Sequence, residues 1–136
     1  MLKIEHLGIA IKELDSSIPL FEQLLNTPCY KTETVASEGV NTAFFQTGEA
    51  KIELLEATND LSPIAKFIGK KGPGIHHIAF EVENIEAEMK RLAALGFELL
   101  NEKPKDGADN KLVCFLHPKT TNGVLIELCQ EKNNHI

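Results

Sequence analysis

The sequence predicts an α+β fold in which two tandem βαβββ modules form one curved mixed sheet. Two strand-like segments, His6–Ala10 and His77–Glu81, begin with a histidine, and each is followed by a helical pattern of apolar residues. An apolar strand with a central glutamate comes later in each half, Glu53 47 residues after its histidine and Glu127 50 residues after. Because both halves repeat the same order of elements, we predict a single domain, residues 1–136, made by internal duplication.

The first module is predicted over about residues 3–58. Alternating apolar residues make Lys3–Ile11 a strand, and Asp15 or Ser16 can cap a helix that runs to about Leu25. Three short strands complete this module: Tyr30–Val35, Asn41–Gln46 and Lys51–Glu56.

A connecting helix within residues 62–72 begins with Ser62 as its cap and Pro63 in its first turn. The second module, about residues 74–130, starts with a strand and a helix capped by Asn84. Its remaining strands are predicted at Phe97–Asn101, Lys111–His117 and Val124–Gln130. The last six residues are expected to form a polar tail.

Composition narrows the function classes. A net charge of −6 argues against a basic face that binds nucleic acid. No apolar run reaches the about 18 residues of a membrane-spanning helix, and the N-terminus lacks the apolar segment of a signal peptide. Three cysteines without metal or redox spacing, Cys29, Cys114 and Cys129, are expected to be reduced thiols. We therefore expect a cytoplasmic protein with neither nucleic-acid nor membrane partners.

Strand alternation places both histidines beside small residues. His6 shares its side of the strand with Gly8 and Ala10. His77 shares its side with Ala79, whereas the large aliphatic neighbours of both histidines point to the helices. Small residues next to a polar side chain leave space for a ligand, which indicates a pocket on this face.

The duplicated residues predict a metal-binding cleft. Two imidazoles and two carboxylates suit a divalent ion such as Co²⁺, Mn²⁺, Ni²⁺, Zn²⁺ or Mg²⁺. Burial of a glutamate without a partner would cost on the order of several kcal/mol, which a dication offsets. The alternative is four separate hydrogen-bonded residues, but their coincidence in matching strands favours one shared site. Lys119, beside the last hairpin, is a candidate for binding a substrate phosphate or carboxylate.

Three C-terminal motifs, Gly74–Val82, Phe115–Lys119 and Gly123–Leu128, resemble the methylmalonyl-CoA epimerase family of the vicinal oxygen chelate superfamily. His6–Ala10 and Ile52–Glu56 are similar to that family too. The resemblance covers nearly the whole chain, and it implies an epimerase that interconverts (2R)- and (2S)-methylmalonyl-CoA by proton transfer through a metal-stabilised enediolate.

The same resemblance implies roles for individual residues. It places the metal ligands at His6, Glu53, His77 and Glu127. We expect Co²⁺ as the ion, Glu127 and Glu38 as the two proton-transfer groups, an acyl-CoA as the substrate, and a homodimer. No cofactor other than the metal is implied.

Two other functions remain open at this point. A glyoxalase I-type lactoylglutathione lyase would use the same four ligands and also transfer a proton through an enediolate. A non-enzymatic small-molecule binding module on the same fold would need the cavity without the metal. Fold alone does not decide among these functions.

Overall fold

The structure, a computed structural model, describes residues 1–132 and divides into two compact units. The N-terminal unit is His6–His76, and the C-terminal unit contains residues 77–132 together with Met1–Glu5. Each unit contains both helix and sheet, so the predicted α+β class is confirmed. Within the described residues, no helix is long and apolar enough to cross a membrane.

The N-terminal unit has two helices and a four-stranded sheet. In chain order its elements are β1 (Lys3–Ala10), α1 (Leu14–Leu25), β2 (Lys31–Val35), β3 (Val40–Thr47), β4 (Ala50–Ala57) and α2 (Pro63–Lys71). The first three residues of β1 are grouped with the C-terminal unit. The strands lie in the order β2-β3-β4-β1, with β1 parallel to β4 and the other neighbours antiparallel.

The two faces of this sheet pack against different helices. Phe45 and Leu54 are fully buried on the face that α1 covers. Ala10 and Leu55 are buried on the opposite face, where Ile64 of α2 packs against them. Each large apolar side chain buried in this way stabilises the fold by about 2 kcal/mol. His6 and Gly8 alternate with Ala10 along β1, so all three point to the face on which α2 packs.

The start of α1 differs from the sequence prediction. Neither Asp15 nor Ser16 caps the helix, which begins at Leu14. The backbone N–H of Leu14 donates instead to Oε2 of Glu56, on β4, at 3.0 Å. Since the N-terminus of a helix favours negative charge, a carboxylate from a distant strand replaces the local cap.

The C-terminal unit repeats this contact between helix and strand. Its helix α3 (Ile85–Ala94) begins with the N–H of Ile85, which donates to Oε1 of Gln130 at 2.7 Å. Gln130 follows Glu127 by three residues, and the carboxylate at the start of α1 follows Glu53 by three residues. The duplication seen in the sequence therefore extends to a matched tertiary hydrogen bond.

Two predicted helix caps are confirmed. Ser62 accepts the N–H of Ala65 at 3.1 Å, and Pro63 is the first residue of α2. Asn84 accepts the N–H of Ala87 at 3.0 Å at the start of α3.

The remaining elements of the C-terminal unit are four strands. They are β5 (Gly74–Glu81), β6 (Lys105–Gly107), β7 (Lys111–Leu116) and β8 (Ile126–Glu131). The first three residues of β5 are grouped with the N-terminal unit. Their order is β5-β8-β7-β6, with β5 and β8 parallel and the other pairs antiparallel. On one face α3 covers Cys114 and Leu128, and on the other Ala79, Val113 and Cys129 form a second apolar cluster.

The predicted strand Phe97–Asn101 is wrong. This segment forms no strand: Leu99 makes an isolated bridge with Leu116, flanked by two backbone hydrogen bonds, from Leu100 N–H to the carbonyl of Phe115 and from His117 N–H to the carbonyl of Glu98. Strand β6 forms later in the chain. The side-chain oxygen of Asn101 accepts the N–H of Phe115 at 2.9 Å. This N–H is therefore not available to a backbone carbonyl, as it would be if the segment continued as a strand paired with β7.

The polar tail was also predicted to begin too early. Glu131 is the last residue of β8, and Lys132 forms an ion pair with Asp106, with 2.8 Å between Nζ and Oδ1. The rest of the predicted tail, residues 133–136, lies outside the described residues.

Candidate metal centre

The first His–Glu pair lies within the N-terminal unit. His6 on β1 and Glu53 on β4 share one face of the sheet, because Gly8, two residues after His6, pairs with Glu53. Nε2 of His6 lies 3.0 Å from Oε1 of Glu53, and each side chain is only 6% exposed. Because Gly8 has no side chain, the imidazole of His6 and the carboxylate of Glu53 can approach each other across the two parallel strands.

The second pair has the same geometry in the C-terminal unit. Ala79, two residues after His77, pairs with Glu127 across the parallel strands β5 and β8. Nε2 of His77 lies 2.9 Å from Oε1 of Glu127, with exposed side-chain fractions of 4% and 8%. The structure therefore brings His6 to Glu53 and His77 to Glu127, in two buried and equivalent pairs.

The spacing within each pair fits two ligands of one metal ion. Metal ions such as Zn²⁺ hold nitrogen and oxygen ligands at about 2.1 Å, so two such ligands at a right angle lie about 3.0 Å apart. The same spacing is that of a hydrogen bond from imidazole to carboxylate. Donor type, burial and spacing together make each pair suitable for binding a divalent metal ion.

An aromatic ring supports the second pair. Phe115 on β7 lies directly opposite Glu127 on β8. The Phe115 ring meets the His77 imidazole edge to face, with the ring centroids 5.7 Å apart and the planes at 82°. Such packing restricts rotation of the imidazole, so His77 keeps Nε2 directed to the carboxylate.

Glu38 lies in the N-terminal unit at the end of a 3₁₀ turn, Ala36–Glu38, and is partly buried. The turn closes at Gly39, whose N–H donates to the carbonyl of Ala36 at 3.1 Å. The carbonyl of Gly39 accepts the N–H of Thr58 at 2.9 Å, which ties the turn to the chain after β4. The backbone around Glu38 is therefore well anchored.

Lys119 makes an ion pair in the C-terminal unit. Its Nζ lies 2.7 Å from Oε1 of Glu98, and both side chains are largely exposed. The hydrogen bond from Lys119 lowers the pKa of Glu98 below its usual value. A substrate-binding role for Lys119 stays a prediction.

Two other lysines of the C-terminal unit are not among the site residues predicted from the sequence. Lys111 is buried, with its Nζ 3.9 Å from Oε2 of Glu5 and 3.5 Å from Oε1 of Glu131. Lys105, on the short strand β6, is partly buried with its Nζ 5.8 Å from the centroid of the Phe115 ring. In the sequence, these two lysines differ from exposed lysines only by their alternation with apolar neighbours. That pattern does not reveal how deeply a lysine is buried.

The three cysteines form no disulfide bond, as predicted. Cys114 and Cys129 are buried in the two apolar clusters of the C-terminal unit, and Cys29 is partly exposed. Burial raises the pKa of the Cys114 thiol.

Comparison with known proteins gives a consistent set of relatives. The profile of the Glyoxalase/Bleomycin resistance protein/Dioxygenase superfamily matches residues 5–115. The chain is 41% identical over 128 residues to a mitochondrial methylmalonyl-CoA epimerase of Dictyostelium discoideum, covering 93% of this chain and 76% of that protein. It is 38% identical over 130 residues to an ethylmalonyl-CoA/methylmalonyl-CoA epimerase of Cereibacter sphaeroides, covering 94% and 97%.

A solved structure is similar over the whole fold. Streptomyces coelicolor methylmalonyl-CoA epimerase, as a variant in complex with 2-nitronate-propionyl-CoA, superposes with a TM-score of 0.92 at 30% identity. The match covers 98% of this chain and 99% of that one.

Proposed function

The chain belongs to the Glyoxalase/Bleomycin resistance protein/Dioxygenase superfamily, and we propose that it is an enzyme that interconverts the (2R) and (2S) forms of methylmalonyl-CoA. The family resemblance found in the sequence motifs is confirmed by these relatives. The observation that carries the proposal is the duplicated, buried His–Glu pair in a chain so similar to named epimerases. A His–Glu pair that only stabilised its own half would need no counterpart in the other half. A single ion with four such ligands would need one pair from each repeat.

The proposal assigns one divalent ion, Co²⁺, to four ligands. They are His6, Glu53, His77 and Glu127, all of which are buried. Two imidazoles and two carboxylates are a donor set that would hold such a divalent ion. When bound, the dication supplies positive charge where negative charge develops on the thioester oxygen during the reaction.

In this proposal Glu38 and Glu127 move the proton at carbon 2 of the acyl group. This carbon lies between the thioester carbonyl and the carboxylate, so inversion requires proton removal from one face and delivery to the other. One glutamate accepts the proton while the electron pair of the C–H bond passes to the thioester carbonyl. The other glutamate, which starts protonated, then donates its proton to the opposite face.

Solvent-deuterium exchange tests these two roles. We expect Glu38→Gln and Glu127→Gln to slow turnover by about 100-fold or more, because an amide cannot accept the proton. Glu38→Gln should retain the metal and still exchange deuterium from one epimer only. Glu102→Gln, at an exposed loop acid, is the matched control and should behave as wild type. Normal exchange and turnover in both active-site variants would show that the assignment is wrong.

A second substrate pair separates the proposal from its alternatives. Metal-loaded protein is assayed with methylmalonyl-CoA and, separately, with methylglyoxal plus glutathione. Turnover of only the latter pair would indicate a lactoylglutathione lyase. Binding of a ligand without turnover or stoichiometric metal would indicate a small-molecule binding module.

Three finer parts of the proposal come from the sequence and the resemblance. They are Co²⁺ as the ion, a homodimer, and a cytoplasmic location. Activity after reconstitution with each divalent metal tests the first, light scattering coupled to size-exclusion chromatography tests the second, and cell fractionation tests the third.

A further inference from the structure

A phenylalanine lies directly opposite the glutamate of each His–Glu pair. Phe44 on β3 pairs with Glu53 on β4, and Phe115 on β7 pairs with Glu127 on β8. Directly opposite residues of two antiparallel strands point to the same side of the sheet, with their Cβ atoms about 4.5–5.5 Å apart. Each unit therefore places a phenyl ring beside the carboxylate of its own pair.

The outer strand of each unit adds a lysine beside the ring. Lys31 on β2 lies directly opposite Phe44, and its Nζ is 5.9 Å from the centroid of that ring. Lys105 on β6 pairs with Val113, two residues before Phe115, and its Nζ is 5.8 Å from the centroid of the Phe115 ring. Attraction between an ammonium and a ring face helps to hold each ring in place. The order lysine, phenylalanine, glutamate across three neighbouring strands thus occurs in both units.

The two rings are held by different neighbours. Phe44 is only 1% exposed and packs against the ring of Tyr30, with 6.0 Å between the ring centroids. Phe115 is partly exposed, and its edge-to-face contact is with the imidazole of His77 itself. Since a phenyl ring is apolar, it excludes water beside the carboxylate without competing for the carboxylate oxygens.

We propose that Phe44 and Phe115 are positioning residues that raise the affinity of the His–Glu pairs for a divalent ion. A ligand side chain that is already held in its binding orientation loses less conformational freedom when the ion binds. This inference rests on the proposed function, since it assigns a role to residues that surround the predicted metal ligands without belonging to them.

Calorimetric measurement of Co²⁺ binding to metal-free protein tests the inference. Phe115→Leu removes the ring, and Phe115→Tyr keeps it. Phe97→Leu is the matched control, because Phe97 packs in the cluster that α3 covers, on the other face of the sheet. In the N-terminal unit Phe44→Leu is compared with Phe45→Leu, whose ring lies on the face that α1 covers. Thermal unfolding without metal checks that each variant is folded.

We expect Phe115→Leu and Phe44→Leu to weaken Co²⁺ binding by about 3- to 10-fold, the usual effect of losing one aromatic contact. Phe115→Tyr should retain the wild-type affinity. Phe97→Leu and Phe45→Leu should lose stability but change the affinity by less than about 2-fold, since their cavities open away from the ligands. If the rings only stabilised the fold, Phe44→Leu and Phe45→Leu would bind Co²⁺ alike.

A second measurement does not depend on the metal. The imidazole NMR signals of His77 in metal-free protein should shift and broaden in Phe115→Leu, because the ring that restricts the imidazole is lost. The same signals should be unchanged in Phe97→Leu. The Phe115 variants decide the outcome should Phe44→Leu fail to fold, because a partly exposed position tolerates the change.

Equal affinities in Phe115→Leu and Phe97→Leu, with a wild type that binds Co²⁺, would overturn the inference alone. A wild type that binds no divalent ion would overturn the proposed metal site and this inference with it.

Discussion

Replacement of Gly39 by alanine is expected to destabilise the protein by about 2–5 kcal/mol. Gly39 has φ +66°, a left-handed conformation that costs an ordinary L-residue about 1–2 kcal/mol. A Cβ added at Gly39 would also lie 2.7 Å from Cβ of Ser62, so the chain at the start of α2 would have to shift. Overpacking of this kind costs about 1–3 kcal/mol.

Gly48 provides the matched control. It has φ +64°, almost the same as Gly39, but an added Cβ would meet nothing within 4 Å. Gly48→Ala should therefore lower the free energy of unfolding only by the conformational part, about 1–2 kcal/mol. A third variant, Gly39→Ala with Ser62→Gly, removes the colliding Cβ, and glycine replaces serine as a helix cap at a cost of only about a few tenths of a kcal/mol. Its stability should return towards that of Gly48→Ala.

Urea unfolding followed by circular dichroism measures these differences. The midpoint should shift with an unchanged slope, since none of the substitutions alters the surface exposed on unfolding by much. Equal losses in Gly39→Ala and Gly48→Ala, or no recovery in the double variant, would refute the argument from close approach. Because Glu38 immediately precedes Gly39, Gly39→Ala should also slow deuterium exchange if Glu38 is a proton-transfer group, whereas Gly48→Ala should not.

Two further predictions concern other parts of the fold. Ser62→Ala removes the oxygen that accepts the N–H of Ala65 and should lower the free energy of unfolding by about 1 kcal/mol, measured by the same urea titration; an unchanged midpoint would show that this cap is not stabilising. Cys114 should react with iodoacetamide much more slowly than the partly exposed Cys29 at pH 8, because burial raises the pKa of its thiol and limits access. The difference between the two alkylation rates should narrow as the pH of the native protein rises towards 10. Peptide mass spectrometry after alkylation measures both rates, and equal labelling of Cys114 and Cys29 at pH 8 would contradict the prediction.

The face on which each candidate histidine lies was predictable from the sequence because its signal is local. Alternation along a strand fixes which residues share a face, and it placed His6 with Gly8 and His77 with Ala79. The caps of α2 and α3 were equally local, since Ser62 and Asn84 bond to N–H groups three residues later. Each of these features depends on a few neighbouring residues, so a single sequence contains all the information.

Contacts between distant residues were not predictable in this way. The carboxylate that replaces the expected cap of α1 comes from Glu56, 42 residues further along the chain. The segment around Leu99 has apolar residues typical of a strand, but the side chain of Asn101 takes the donor of Phe115, and the strand forms at Lys105 instead. Strand propensity could not distinguish these segments, because pairing depends on the partner strand.

The sequence by itself determined the duplication, the α+β class and the His and Glu residues of each half, since periodicity and repetition are properties of the chain alone. Only the tertiary structure decided that these residues meet at 3.0 and 2.9 Å, and that Lys105 shares a face with the second pair. The physical reason is that periodicity gives the direction of a side chain, whereas distance and neighbourhood depend on strand order and register.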